Sequence, residues 1–127
     1  MNIKEIIKPA ASPAAVGPYN HAVRFGHLLF CSGQIPLDPA SGQLVGDDIK
    51  AQTERVLENV KSILADQRLT FANVIKSTVF MTNLVDFAAM NEVYALYFTN
   101  DFPARSTVQV AALPRGASVE IEVVAHY

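Results

Sequence analysis

From residue 49 to about 67, Ile49, Thr53, Val56, Val60, Ile63 and Leu64 recur every three or four positions, so one helix face carries them all. The period then changes. Val74-Ile75-Lys76-Ser77-Thr78-Val79-Phe80-Met81-Thr82 is rich in β-branched residues and reads as a strand. Helical spacing returns from about 86 to 98, with Phe87, Met90, Tyr94 and Tyr97 or Phe98 as the buried stripe, until Asn100-Asp101-Phe102-Pro103 ends it. Helix, strand, helix in close succession restricts the fold, because both helical stripes need a sheet to cover them. Asp47 or Asp48 can cap the first helix by accepting from its free first-turn amides. No Glu or Gln follows Asp48 at the third position, so a full capping box is not expected.

The flanking segments supply the other strands. Residues 2–8 read as a short strand, and 9–18 as a loop rich in Ala and Pro. Strands at 22–25 and 28–31 flank Gly26-His27, a two-residue turn with glycine first, suited to type II′. Ser32-Gly33-Gln34-Ile35-Pro36 leaves the strand, and Asp38-Pro39-Ala40-Ser41-Gly42 is a turn by composition. The order is βββαβαββ. It predicts an α+β, two-layer domain spanning 1–127, with one mixed, mostly antiparallel six-stranded sheet and two helices on its apolar face.

The last two strands, near 103–113 and 118–125, both alternate, and Pro114-Arg115-Gly116-Ala117 between them is a turn. A hairpin is expected. Arg105, Thr107 and Gln109 share one side of the first run; Glu120 and Glu122 share the polar side of the second. If Ala111 pairs with Ser118, Thr107 falls opposite Glu122 and Gln109 opposite Glu120. One sheet face then carries a cation and two carboxylates. On that pairing Arg105 and Glu120 are offset by four residues, roughly 13 Å. A small substrate cannot span that within one chain, so a site using both would be shared between subunits.

Composition excludes several classes. The net charge is −2 and no basic stripe stands out, which speaks against nucleic-acid binding through phosphates. The first eight residues interleave charges with isoleucines, so no signal peptide is expected, and nothing approaches the roughly 20 apolar residues that span a bilayer. One cysteine cannot form an internal disulfide. A cytoplasmic protein is expected. Half the residues are hydrophobic, which for a small domain favours an oligomer.

Several residues can carry chemistry. Arg105 is a fork for a carboxylate or a cation on a solvated face. Glu120 and Glu122 repel weakly, and burial would raise one of them toward acid or base duty. Tyr19, after Gly17-Pro18, can hydrogen-bond or stack on a ligand, or pack under its own loop. Ser32-Gly33 offers a hydroxyl and unhindered amides, as an oxyanion needs, or simply marks a turn. Asn91 is mid-helix, where its propensity is poor; it faces solvent or serves a contact. Cys31 reads as an inert core thiol. His21, His27 and His126 lack metal-ligand spacing, so no metal is expected.

Gly17-Pro18-Tyr19, Ser32-Gly33-Gln34-Ile35-Pro36, Asn59-Val60, Val74 through Phe80, Phe102-Pro103-Ala104-Arg105-Ser106 and Val119-Glu120-Ile121-Glu122 together resemble the RidA/YjgF family of enamine and imine deaminases. The resemblance covers nearly the whole chain in the same order. It implies a chorismate mutase-like fold and a homotrimer with ligand sites between subunits. It implies that Arg105 binds the carboxylate of a 2-imino acid and that Glu120 positions or activates water. Tyr19, Ser32, Gly33, Asn91 and Thr107 would line the site. The implied reaction is hydrolysis of 2-imino acids to pyruvate or 2-oxobutanoate and ammonia, with no cofactor. Thr107 stands where many members have cysteine, and Asn20-His21 replaces the commoner Ser-Gln. A non-catalytic module that binds 2-oxo acids or acts as a chaperone-like partner is the competing reading. An endoribonuclease or translation inhibitor is a third, which the acidic balance disfavours.

Overall fold

The computed structural model describes residues 3–12, 14, 15 and 17–127. Met1, Asn2, Pro13 and Val16, which fall in the expected first strand and the loop from 9 to 18, lie outside the described residues. Six strands, β1 (Glu5–Ile7), β2 (Ala22–Phe25), β3 (Leu28–Gln34), β4 (Val74–Met81), β5 (Ala104–Gln109) and β6 (Val119–His126), form one sheet. Two helices, α1 (Ile49–Asp66) and α2 (Phe87–Tyr97), cover one face. The expected α+β class and element order hold.

Local signals act as anticipated. Asp48 caps α1, with its Oδ1 accepting from the Ala51 amide at 2.8 Å. Gly26 takes a φ of 63° in the two-residue turn between β2 and β3, a conformation open to glycine. The α1 stripe is buried from Thr53 onward, with Ile49 partly covered, and so are three residues beside it: Leu57, Gln52 and Asn59. The two polar ones are hydrogen-bonded, as burial requires. Gln52 accepts from the Ser118 amide and donates to the Gly46 carbonyl. Asn59 donates to the carbonyls of Leu37 (2.9 Å) and Ile35 (3.4 Å) and accepts from Arg55. In α2, Val93 rather than Phe87 completes the buried stripe; Phe87 is 38% exposed.

The hairpin expected between the last two strands does not form. The sheet order is β1-β2-β3-β6-β4-β5. β6 enters between β3 and β4, antiparallel to both, while β5 lies at the edge, parallel to β4. The reason is burial. Val119, Ile121, Val123 and Ala125 are at most 2% exposed, and an inner row that apolar is covered only in the middle of the sheet. β5 has no comparable inner row, and α2 provides the crossover that a parallel β4–β5 pair requires.

This order also changes the faces. Arg105 pairs with Ser77, which pairs with Val123; Val108 pairs with Phe80, which pairs with Glu120. Arg105, Thr107 and Gln109 therefore lie on the inner, helix-covered side. Glu120 and Glu122 lie on the outer side with Ser106 and Val108. Thr107 sits beside Val79, not Glu122. The expected coincidence of cation and carboxylates on one face is overturned, and so is the four-residue offset. The two groups are on opposite faces, three residue rows apart along β4, from Ser77 to Phe80. The outer face also exposes Ile6, Phe25, Phe30 and Val108.

Candidate functional site

Among the described residues the candidates gather in two clusters. The first surrounds a bulge in β3. Cys31 pairs with Val123, but Gln34 pairs with Ile121, so β3 carries one residue more than β6 across this stretch. A bulge re-aims the side chains around it. It turns Ser32 and Gly33 toward Glu120, whose carboxyl packs against the bare Cα of Gly33. Sequence reasoning ended the strand at Cys31; a glycine inside a strand pattern was the available sign of the bulge.

Tyr19, His21, Ser32, Gly33 and Glu120 line a cavity of about 310 Å³, walled on the apolar side by Ile35, Leu37 and Pro114. Ser32 ties the entering loop in place: its Oγ donates to the Asn20 carbonyl at 2.6 Å and its amide to the His21 carbonyl at 2.8 Å. Its hydroxyl proton is thus committed to the loop, leaving the oxygen lone pairs to accept. Gln34 Nε2 contacts both the Ser32 carbonyl and His21 Nδ1, each at 3.2 Å. Because a carbonyl only accepts, the amide nitrogen must face it. The Tyr19 ring meets His21 edge-on, centroids 6.3 Å apart. Burial, and then the Glu122 charge, hold the Glu120 carboxyl above the ordinary carboxylate range.

The second cluster lies at the inner edge, where β5 meets α2. Arg105 donates from Nη1 to Asn91 Oδ1 at 2.8 Å. Its Cζ is 4.7 Å from the Tyr94 ring centroid and 5.6 Å from that of Phe87. Asn91, Tyr94, Phe102, Pro103 and Arg105 line a second hollow of about 320 Å³, with Phe102 70% exposed at its rim. The Thr107 hydroxyl, two positions along β5 on the same side, is buried with no hydrogen-bond partner among the described residues. Sequence alone singles out Arg105, Asn91 and Thr107, whereas the helical spacing assigns Tyr94 and Phe87 to the core.

The structure therefore brings Tyr19, Ser32, Gly33 and Glu120 together in one place, and Arg105 and Asn91 in another. One cluster offers a carboxyl with a raised proton affinity; the other offers a guanidinium held by Asn91 and Tyr94. Among the described residues no three His, Cys, Asp or Glu side chains gather as metal ligands would, and no helix is long and apolar enough to cross a membrane.

A family model described as Endoribonuclease L-PSP matches residues 9–127. Protein DfrA of Myxococcus xanthus is 52% identical over 124 residues, covering 96% of this chain and 95% of its own. The 2-iminobutanoate/2-iminopropanoate deaminase of Capra hircus is 46% identical over 123 residues, covering 97% and 90%. The crystal structure of E. coli TdcF with bound serine superposes with a TM-score of 0.92 at 43% identity, covering 97% of this chain and 98% of that one.

Proposed function

The chain belongs to the RidA/YjgF family, and from that premise we propose that it is a hydrolase converting 2-imino acids, 2-iminobutanoate and 2-iminopropanoate among them, to 2-oxo acids and ammonia. The observation that carries this reading is the split between Arg105 and Glu120. A guanidinium held by Asn91 and Tyr94 suits a small carboxylate. A carboxyl with raised proton affinity suits the handling of water. They stand on opposite faces of one sheet, so a ligand of a few atoms reaches both only where two copies of the chain meet. The apolar outer face is the surface on which copies would associate, in the homotrimer that the family resemblance implies. The named deaminase relative supports the reaction, and the TdcF structure holds an amino acid, a ligand with a carboxylate beside a nitrogen-bearing carbon.

The chemistry asks little of the protein. An imine carbon is already electrophilic, so orientation and proton transfer are what the site adds. Arg105 takes the carboxylate and fixes the C=N bond relative to water. Glu120 accepts a proton from the attacking water, whose oxygen bonds to the imine carbon while the nitrogen takes a proton from solvent. The resulting carbinolamine collapses: Glu120 returns its proton to the departing nitrogen, the C–N bond breaks, and the hydroxyl proton is released as the new C=O forms. The products are a 2-oxo acid and ammonia.

The test couples a threonine dehydratase to the protein and follows 2-oxobutanoate. Acceleration by the wild type and its near-complete loss in Arg105→Ala are expected, because truncation leaves the ligand carboxylate unpaired. Glu120→Ala should lose turnover more than affinity for 2-oxo acids. Equal rates with and without the protein would overturn the reading.

A further inference from the structure

Arg105 has a neighbour in the sheet whose chemistry the reaction does not use. Ser77 is its direct partner across the parallel β4–β5 ladder and is fully buried. The inner row of β4 reads Ser77, Val79, Met81, all at 0% exposure. A valine at 77 would suit such a row better than a hydroxyl does. The hydroxyl is used: Ser77 Oγ and the Tyr94 hydroxyl are 2.6 Å apart. Tyr94 descends from α2, so this bond ties the far end of its ring to the floor of the sheet. The ring face then stands beside the Arg105 guanidinium.

Two restraints act on that guanidinium. Asn91 holds one nitrogen, Nη1. A single hydrogen bond leaves the plane of the group free to tilt about it. The Tyr94 ring limits the tilt, because a guanidinium is attracted to a ring face. The plane matters, since two parallel hydrogen bonds to a carboxylate form only when the fork and the carboxylate are coplanar.

We propose that Ser77 and Tyr94 are a positioning pair: the hydroxyl contact fixes the angle of the ring, the ring fixes the plane of the Arg105 guanidinium, and that plane sets the affinity for the carboxylate of a 2-imino or 2-oxo acid. This rests on the reading of Arg105 as the carboxylate anchor. Ser77 acts at one remove, through Tyr94.

The experiment uses the full chain with Ser77→Ala, Ser77→Thr and Tyr94→Phe, and with Ser77→Ala placed on Arg105→Lys. Three quantities are read: KM and kcat in the dehydratase-coupled assay, Kd for 2-oxobutanoate by calorimetry, and the NMR signal of Arg105 Nε without ligand. Ser77→Ala and Tyr94→Phe should raise KM and Kd by about three- to tenfold while kcat moves less than about twofold, the range a loosened cation–π contact spans. Ser77→Thr should restore both. On Arg105→Lys, which has no planar fork to orient, Ser77→Ala should add nothing. Should Ser77→Ala fail to fold, Tyr94→Phe, which keeps the ring but removes a hydroxyl that meets both Ser77 and Arg105, should raise KM and Kd at least as much. Unchanged KM and Kd in folded variants, or an equal penalty on the Arg105→Lys background, overturns the proposal. A wild type that binds no 2-oxo acid and accelerates no imine sinks the deaminase reading and the carboxylate part of the pair's role with it. The Arg105 Nε signal then decides the geometric part: a signal that does not move in Ser77→Ala ends it.

Discussion

A Cβ placed on Gly33 would lie 2.5 Å from Glu120 Oε2 and 2.8 Å from its carboxyl carbon. Only a residue without a side chain lets β3 come this close to the carboxyl, so the glycine in the bulge and the acid in the neighbouring strand are one feature.

Gly33→Ala is therefore expected to push the Glu120 carboxyl aside. A displacement of about 1 Å at a reacting group lowers rate about a hundredfold, and kcat/KM should fall on that scale. The melting temperature should move little, because the clash meets the swinging end of a side chain. Full activity in this variant would separate the position of Glu120 from the reaction.

The proton affinity of Glu120 makes a pH prediction. Burial and Glu122 raise its folded value above the unfolded one, so the ionised form costs native stability: the cost is absent below the unfolded value, grows as pH rises from there, and is complete above the folded value. Glu120→Gln should stabilise the protein at neutral pH by less than about 1 kcal/mol, since the carboxyl remains partly open to water. Urea midpoints on either side of the folded value measure the difference. Glu122→Gln removes the smaller cause, so the acidic limb of kcat/KM should move to lower pH; a limb that stays put belongs to another group.

Asn59 holds the wall of the Glu120 cavity from inside α1, through the carbonyls of Ile35 and Leu37. Asn59→Leu leaves these carbonyls and the Arg55 guanidinium without it. A loss of about 2–3 kcal/mol in urea unfolding is expected, the cost of buried polar groups left unpaired. A change under about 0.5 kcal/mol would mean that water or a neighbour replaces the amide at no loss.

Burial pushes the Cys31 thiol up to about 12. The thiolate is the reactive form, so alkylation by iodoacetamide at neutral pH should proceed only as fast as the native state opens. Labelling at the rate of a free thiol would place Cys31 outside the core.

How much of this was legible in the sequence depended on distance along the chain. Asp48 announces the start of α1 because a cap is settled within one turn. Gly26 announces its turn for the same reason. The pairing of β5 was illegible. Alternation assigns residues to a side, not a strand to a neighbour, and a turn between two strands suggests a hairpin even when a third strand intervenes. Arg105 was accordingly put on the wrong face. In the site, the resemblance pointed to Arg105 and Glu120, and nothing in spacing could show them back to back. Tyr94 looked like ordinary core and Ser77 like any strand residue, because their link crosses from helix to sheet.

Among the described residues, β1-β2-β3 and β4-β5 share no ladder, and β6 joins them. The keystone is also the last strand along the chain. Both wings border β6 along their inner rows, so without it neither has its middle neighbour. Glu120 is carried by that same strand, so the acid faces its glycine only where β6 joins the two wings.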